Sequence, residues 1–127
     1  MTTLEVLRAT RELLSDETRW ARGNHAYDSE GNIVDPNAST AERFCVLGAM
    51  WYVSNSGQAF MIAEALAGRA SKLAAFNDTG GYRKIMQWLD THIAALEKMI
   101  EIAKQEEMTE GAPLEPLPVE QRELVPA

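Results

Sequence analysis

The eleven residues ERFCVLGAMWY at positions 42–52 decide the fold, because apolar side chains occupy nearly every direction around a helix built from them. Helical spacing gathers one apolar set on one side and a second set on the other. The first set is Phe44, Leu47, Gly48, Trp51 and Tyr52, and the second is Val46, Met50 and Val53. A helix that is apolar all round belongs inside a core. We therefore predict a central helix that starts after a capping box formed by Ser39 and Glu42.

Two more helices are predicted, one on each side of this stretch. Thr2 and Glu5 form a capping box, and the leucines after them recur at three-to-four spacing. The first helix is therefore expected to end at about Ser15 or Thr18. Residues 54–57, Ser-Asn-Ser-Gly, interrupt the helical pattern, and the alanine-rich segment that follows predicts a weaker helix in close contact with a neighbour.

A long last helix is predicted from Tyr82 to Glu107. The preceding residues Asn77–Gly81 offer side-chain acceptors suited to a helix N-cap and two glycines suited to a tight turn. Apolar residues then form a seam over about three heptads, which predicts pairing with the core or with another subunit. The seam consists of Ile85, Leu89, His92 or Ile93, Leu96, Ile100 and Ala103.

Residues 21–38 have no helical period and are rich in Gly, Asn, Asp, Ser and Pro, which is typical of a connection. Within them, His25–Tyr27 and Asn32–Val34 flank Asp28–Gly31, a turn with glycine at a position where positive φ is easily adopted. This pattern predicts a short β-hairpin. Two strands alone are marginally stable, so we expect the apolar residues of the hairpin to pack on the helices.

The C-terminal residues 108–127 differ in composition from the rest of the chain. They contain Pro113, Pro116, Pro118 and Pro126, and a side-chain charge of −3 from Glu110, Glu115, Glu120 and Glu123 against Arg122. Such a segment is too proline-rich for a helix and is expected to be flexible. The sequence as a whole predicts a mainly α protein, with four helices and a small β-hairpin insertion in one domain of residues 1–107.

Composition excludes several classes of function. The 127 residues, 46% hydrophobic and 24% charged, suit one globular domain. A net charge of −7 disfavours nucleic-acid binding and anionic membrane surfaces, since both need lysine and arginine. Neither an eighteen-residue apolar run nor a secretory signal is present, and one cysteine cannot form an internal disulfide. We therefore expect a cytoplasmic protein that binds neither nucleic acid nor membrane.

The only cysteine, Cys45, is either a nucleophile or a small buried apolar group. As a nucleophile it would use His25 as general base and Asn77 or Asp78 as the orienting residue. Its apolar neighbours and its position six residues past the expected N-cap favour the packing role instead. The two histidines and Cys45 match no metal-ligand spacing, so the sequence indicates no metal and no cofactor.

Several of these residues form a recognisable series along the chain. Trp20 and Gly23 follow the first helix, and Cys-x-x-Gly-Ala at residues 45–49, the triplet Phe76–Asp78 and Arg83 come after them. This series resembles a domain-of-unknown-function family of small bacterial and phage proteins. The triplet departs from the family pattern, Trp-Asn-Asp, and so lacks an indole donor.

The resemblance spans about residues 3–96 and implies a fold and a bacterial or phage setting, because the family has no established activity. It also implies a structural role for the shared residues. In that interpretation Gly48 and Ala49 form a helix crossing, and the side chain of Asn77 or Asp78 caps nearby backbone.

The expected function is that of a noncatalytic accessory or interaction protein that acts through contacts with a protein partner. One alternative is a thiol-dependent hydrolase or transferase that uses Cys45. A second is a structural component that forms a homo-oligomer through the long last helix. A variant of the interaction reading is an acidic inhibitor that mimics nucleic acid by presenting carboxylates to a basic site.

Overall fold

The computed structural model describes the backbone of residues 1–110 and the side chains of residues 1–108. The helices are α1 (Thr3–Leu13), α2 (Val46–Val53), α3 (Ser56–Ala67), α4 (Ala70–Gly80) and α5 (Tyr82–Glu110), with a 3-10 turn at Glu17–Arg19 and strands β1 (Ala26–Tyr27) and β2 (Arg43–Phe44). The predicted mainly helical fold with a small antiparallel sheet is therefore confirmed. None of the helices in this described part has the length and hydropathy that a membrane crossing requires.

Helix α1 begins at the predicted capping box. The Thr2 hydroxyl accepts the N–H of Glu5 at 3.1 Å, and the Glu5 carboxylate accepts the N–H of Thr2 at 2.8 Å. Both bonds satisfy amides that the first helical turn leaves free. The buried face of the helix carries Leu4, Val6, Leu7 and Thr10. The Tyr82 hydroxyl donates to the carbonyl of Leu14 at 2.6 Å and so joins the end of α1 to the start of α5.

Helix α2 is the central element and packs against α1, α3 and α4. Its residues Val46–Met50 are all buried, as the apolar pattern predicts. The predicted start is wrong, because the N-cap is Cys45 and not Ser39. The residues before Cys45 are extended instead of helical, since the N–H of Glu42 donates to the carbonyl of Tyr27 at 2.8 Å and β2 follows directly.

The two strands of the sheet are not the pair that the sequence predicts. Strand β1 pairs with β2, so that Ala26 lies opposite Phe44. The predicted partner segment lies on the other edge of β1, where an antiparallel bridge joins Tyr27 to Ile33 and the N–H of Val34 donates to the carbonyl of Ala26 at 3.1 Å. Phe44 and Ala26 are fully buried, whereas Ile33 is exposed. Pairing with β2 brings the buried ring of Phe44 into the core and so adds hydrophobic stabilisation that the exposed Ile33 does not provide.

The alanine-rich segment forms two helices instead of one. Gly68 ends α3 in a left-handed conformation, with φ of 87°, and its N–H donates to the carbonyl of Glu64. Helix α4 then continues to Gly80, so Asn77 lies inside α4 and does not cap α5. This corrects the prediction of an N-cap at Asn77–Gly81. The turn is confined to Gly81, whose φ of 86° separates α4 from α5.

Helix α5 begins at the predicted residue Tyr82 and runs three residues beyond the predicted Glu107. Residues Met1–Glu97 form one compact unit, and a second unit begins at Lys98. The described part of this second unit is the remainder of α5. The exposed large apolar side chains there are Met99, Ile100, Ile102 and Met108. The predicted non-helical tail of residues 108–127 is wrong for residues 108–110, which belong to α5 because the helix ends only before the proline-rich part, and residues 111–127 lie outside the described residues.

Candidate functional site

Asn77 is a fully buried amide at the centre of a hydrogen-bond network. Its Oδ1 accepts the indole N–H of Trp20 at 2.8 Å and the backbone N–H of Val46 at 3.0 Å. Its Nδ2 donates to the carbonyl of Ala21 at 3.0 Å and to Oδ1 of Asp78 at 3.1 Å. These four bonds use the two acceptor and two donor positions of the amide. Asn77 therefore holds three segments of backbone together and has no free group for a substrate.

Asp78 fixes the loop that follows Trp20. Its Oδ1 accepts the backbone N–H of Gly23 at 2.9 Å, and its carbonyl accepts Nε of Arg22 at 3.0 Å. The Arg22 guanidinium also lies over the Trp20 ring, 5.0 Å from the ring centroid. The side chains of Asn77 and Asp78 thus both bond to nearby backbone, as the resemblance implies.

Cys45 is the N-cap of α2, which places it at the helix terminus instead of six residues inside. Its Sγ accepts the N–H of Gly48 at 3.3 Å, and only 4% of the residue is exposed. Burial raises the pKa of the Cys45 thiol, against a smaller lowering by the N–H groups of Gly48 and Leu47. A nucleophilic cysteine needs access and a lowered pKa. The environment of Cys45 provides neither.

The imidazole of His25 lies among aromatic rings. Its centroid is 5.4 Å from that of Trp51 and 6.2 Å from that of Phe60, and the Trp51 and Phe60 centroids are 6.0 Å apart. The contact between His25 and Cys45 is made by backbone, because the N–H of Cys45 donates to the carbonyl of His25 at 3.3 Å. Within residues 1–108, no hydrogen bond joins the His25 ring to the thiol.

Gly48 packs directly against the backbone of His25. A Cβ at this position would lie 1.8 Å from the carbonyl oxygen of His25. At Gly48, α2 therefore approaches the backbone segment that leads into β1. The resemblance implies a crossing of two helices at this residue, and the structure corrects that expectation. Only glycine leaves enough room for this approach.

Three partly exposed rings, those of His25, Trp51 and Phe60, contact one another at the surface. We name them, together with the exposed Met61 that follows Phe60 on α3, the His25 cluster. Phe60 is 36% exposed and Met61 is 74% exposed. Aromatic residues and methionine are enriched in protein–protein interfaces, where rigid rings and a flexible thioether adapt to a partner surface.

A polar cavity of about 650 Å³ opens beside the sheet and the 3-10 turn. We name it the arginine cavity, because Arg19 and Arg43 both line it. The Nε atom of Arg19 is shielded from solvent and has no hydrogen-bond partner in the described chain. The other lining residues are Asp16, Thr18, Ser29, Ser39, Ala41, Glu42 and Tyr52.

Two smaller hollows lie along α4 and α5, and Phe76 and Trp88 line both of them. Their volumes are about 290 and 300 Å³. The first is mainly apolar, with Ala67, Lys72 and Leu73, and the second adds Lys84, Gln87, Thr91 and His92. Phe76, the aromatic member of the Phe-Asn-Asp triplet, thus borders a surface groove while Asn77 points into the core.

Metal ligands do not converge in the part of the chain with described side chains. No three residues among its histidines, cysteine, aspartates and glutamates lie together as a metal site requires. His92 instead packs its ring against Trp88, with the centroids 4.6 Å apart. Burial lowers the pKa of His92, which favours the neutral ring in this apolar contact.

The network around Asn77 and Cys45 unites residues that are far apart in the sequence, and they are residues of the series noted above. A family model matches residues 1–97, the same range as the first compact unit. The chain belongs to the family of unknown function DUF6197. No curated protein and no solved structure matches the chain.

Sequence reasoning missed two features of this DUF6197 chain. It did not bring Arg19 and Arg43 together, because the pairing of β2 with β1 was not predicted. It also did not identify Trp20 as the donor to Asn77, although both belong to the series shared with the family. The sequence offered one signal for this bond, the indole N–H of Trp20, because a partly buried tryptophan needs a hydrogen-bond acceptor. Arg83, the last member of the series, is exposed on the first turn of α5.

Proposed function

We propose that this DUF6197 protein is a noncatalytic accessory protein of bacterial or phage origin, which acts in the cytoplasm by binding another protein. The observation that carries the proposal is the complete use of Asn77 and Cys45 inside the fold. Residues that would orient a substrate or attack it are instead occupied by backbone groups. The free thiol and the acidic charge also support a cytoplasmic protein without a nucleic-acid partner.

The His25 cluster is the surface that we assign to the partner. It combines two large aromatic rings and an imidazole with Met61, the most exposed methionine of the first compact unit. Such rings bury a large area at low cost in side-chain entropy, and a few of them carry most of the binding energy in an interface. Met61 is on the solvent side of α3 and is available for contact without rearrangement.

A capture experiment with matched variants tests this proposal. The tagged full-length chain is incubated with a lysate of the organism that encodes it, beside Met61→Glu, Ala95→Glu and Cys45→Ser. The substitution Met61→Glu introduces a charge into the His25 cluster, while Ala95→Glu introduces the same charge at an exposed position on α5. We expect one protein to be retained by the native chain, by Ala95→Glu and by Cys45→Ser, and to be lost with Met61→Glu.

Equal retention by Met61→Glu would contradict the assignment of the surface. Loss with Cys45→Ser in a variant that keeps the native circular dichroism and melting temperature would contradict the purely structural role of the thiol. A rapid reaction of native Cys45 with a thiol reagent at neutral pH would do the same, because a buried cap reacts only after local unfolding.

A second candidate function is homo-oligomeric assembly through α5. The observation that favours it is the run of exposed apolar side chains Met99, Ile100 and Ile102 past Glu97. Together with Ala103, Ile100 continues the heptad seam of the first half of the helix, and helices with such seams pair in coiled coils. We expect a mass that rises with concentration in light scattering, and a constant monomer mass for Ile100→Lys. Lys98→Gln is the control on the same turn, and a native chain that is monomeric at every concentration would exclude this function.

A further inference from the structure

The arginine cavity contains hydrogen-bond donors that the described residues leave without an acceptor. A guanidinium group has five N–H donors and no acceptor. Arg19 and Arg43 make none of the ion pairs found in the described residues, which join Arg8 to Glu97 and Arg11 to Asp90. A buried N–H without a partner is rare in folded proteins, so the Nε atom of Arg19 requires an acceptor from outside the described residues.

The carboxylates that line the cavity do not provide that acceptor. Oδ1 of Asp16 accepts the N–H of Thr18 at 3.0 Å and its hydroxyl at 2.6 Å, so it serves as the cap of the 3-10 turn. These two bonds lower the pKa of Asp16 and keep it ionised. Neither Asp16 nor Glu42 has an oxygen within 4.0 Å of a nitrogen of either arginine.

The remaining lining suits a small acceptor-rich ligand. Ser29, Ser39 and Tyr52 also line the cavity, and a volume of about 650 Å³ is in the range of small-molecule sites. The fork of a guanidinium group matches the planar or tetrahedral oxygens of carboxylate and phosphate. Arg43 is also held in place, since its guanidinium lies 5.5 Å from the centroid of the Tyr27 ring.

We propose that the arginine cavity is a binding site for a small molecule that carries an oxyanion, a phosphate or a carboxylate, which Arg19 and Arg43 bind together. This site is separate from the His25 cluster and does not depend on a protein partner. A bound oxyanion would supply the acceptor that the Nε atom of Arg19 lacks. An unsatisfied charged donor otherwise destabilises a protein.

Ligand-dependent stability of the full-length chain tests the site. The melting temperature is measured in sodium phosphate, sodium succinate and sodium chloride at equal ionic strength, for the native chain and for Arg19→Met, Arg43→Gln and Arg83→Gln. Arg83 is an exposed arginine outside the cavity, so its variant controls for the loss of one positive charge. A response to phosphate, to succinate or to both identifies the oxyanion that the site prefers.

We expect the melting temperature of the native chain and of Arg83→Gln to rise by several degrees with phosphate or succinate, relative to chloride. Arg19→Met and Arg43→Gln should lose that rise. In chloride, Arg19→Met should melt at or above the native temperature, because methionine removes the unsatisfied donor and keeps the packing of the stem. A structural arginine would instead lower it.

Two outcomes would overturn the proposal. The first is the same response to phosphate and succinate in all four proteins, which would show a general salt effect. The second is a native chain whose melting temperature changes with neither phosphate nor succinate at concentrations up to 50-fold above about 1 mM. A dissociation constant of about 1 mM is the weak end of specific binding. If Arg19→Met does not fold, Arg43→Gln still shows whether the rise in melting temperature with phosphate or succinate depends on the cavity.

Discussion

At the scale of single residues, the DUF6197 chain uses its few buried polar groups to hold backbone segments in place. Asn77 and Thr10 are the buried polar residues of the described chain, and Asn77 alone links the loop after Trp20, the start of α2 and the end of α4. The hydrogen bonds of this one amide therefore help to hold in place a loop that has no regular secondary structure.

Replacement of Asn77 by alanine is expected to lower the free energy of unfolding by about 3 kcal/mol, because it leaves Trp20, Val46 and Ala21 with unsatisfied groups. Urea unfolding followed by circular dichroism measures the change. Thr79→Ala, which removes an exposed hydroxyl bond to the carbonyl of Ala75, should change the same quantity by less than about 0.5 kcal/mol. Similar losses in the two variants would contradict the role of Asn77.

Ionisation of the Cys45 thiol is expected to lower the free energy of unfolding at alkaline pH. Its pKa is raised in the folded protein above the ordinary value of 9.0, so the unfolded chain releases the proton first. The stabilisation is therefore fully present below pH 9 and is lost as the pH rises from 9 towards the folded pKa. Tyr82, whose pKa burial raises above 10.0, adds to the loss at higher pH.

The measurement is urea unfolding of the native chain and Cys45→Ser between pH 8 and 10.5. Serine keeps an N-cap acceptor but does not ionise in this range. We expect the native chain to lose stability more steeply than the variant above pH 9. Parallel curves would show that the thiol ionises equally in the folded and unfolded states.

At the scale of elements, the position of α2 depends on its approach to β1. Gly48 faces the carbonyl of His25, and Cys45 bonds to the same carbonyl. The first turn of α2 is thus fixed to the backbone on two sides, by Asn77 and by His25. This explains how a helix of only eight residues serves as the centre of the core.

Gly48→Ala is expected to lower the free energy of unfolding by about 3 kcal/mol or more, because the added Cβ overlaps backbone that cannot move without breaking β1. Gly57→Ala is the matched control, since a Cβ there would lie 3.4 Å from a side-chain oxygen of Asn55. In urea unfolding, this control should stay within about 1 kcal/mol of the native chain. A stable Gly48→Ala variant would mean that the helix and β1 separate easily.

At the scale of the whole molecule, the match to DUF6197 and the first compact unit both end at Glu97. Within residues 1–108, the buried residues of the hydrophobic core lie between Val6 and Leu89, and the ion pair between Arg8 and Glu97, 2.9 Å long, comes at the end of the matched range. The described hydrophobic core therefore lies wholly within the range of the family model.

A chain of residues 1–97 is expected to fold alone, with a free energy of unfolding within about 2 kcal/mol of the full-length value, because the core that supplies hydrophobic stabilisation is intact. Urea unfolding of both chains at the same pH gives the comparison. A fragment that unfolds without cooperativity would show that residues after Glu97 are part of the folding unit.

Local patterns were sufficient to predict most helices of this protein. The capping box at Thr2, the apolar run after Cys45 and the start of α5 at Tyr82 depend on neighbours within a few residues, and the structure confirms them. The error at Ser39 came from the same local logic. A helix start at Ser39 competes with the pairing of β2 with β1. That pairing joins Arg43 to Tyr27, about sixteen residues earlier in the chain.

Sequence by itself determined that this protein has a helical core around residues 46–53, a buried cysteine and a small sheet near Tyr27. Tertiary structure decided which strands pair, that Cys45 caps a helix, and that Asn77 bonds to Trp20 and Val46. The physical reason is the range of the interactions. Helical periodicity and capping act over three to four residues, whereas strand pairing and buried side-chain hydrogen bonds join residues that only the folded chain brings together.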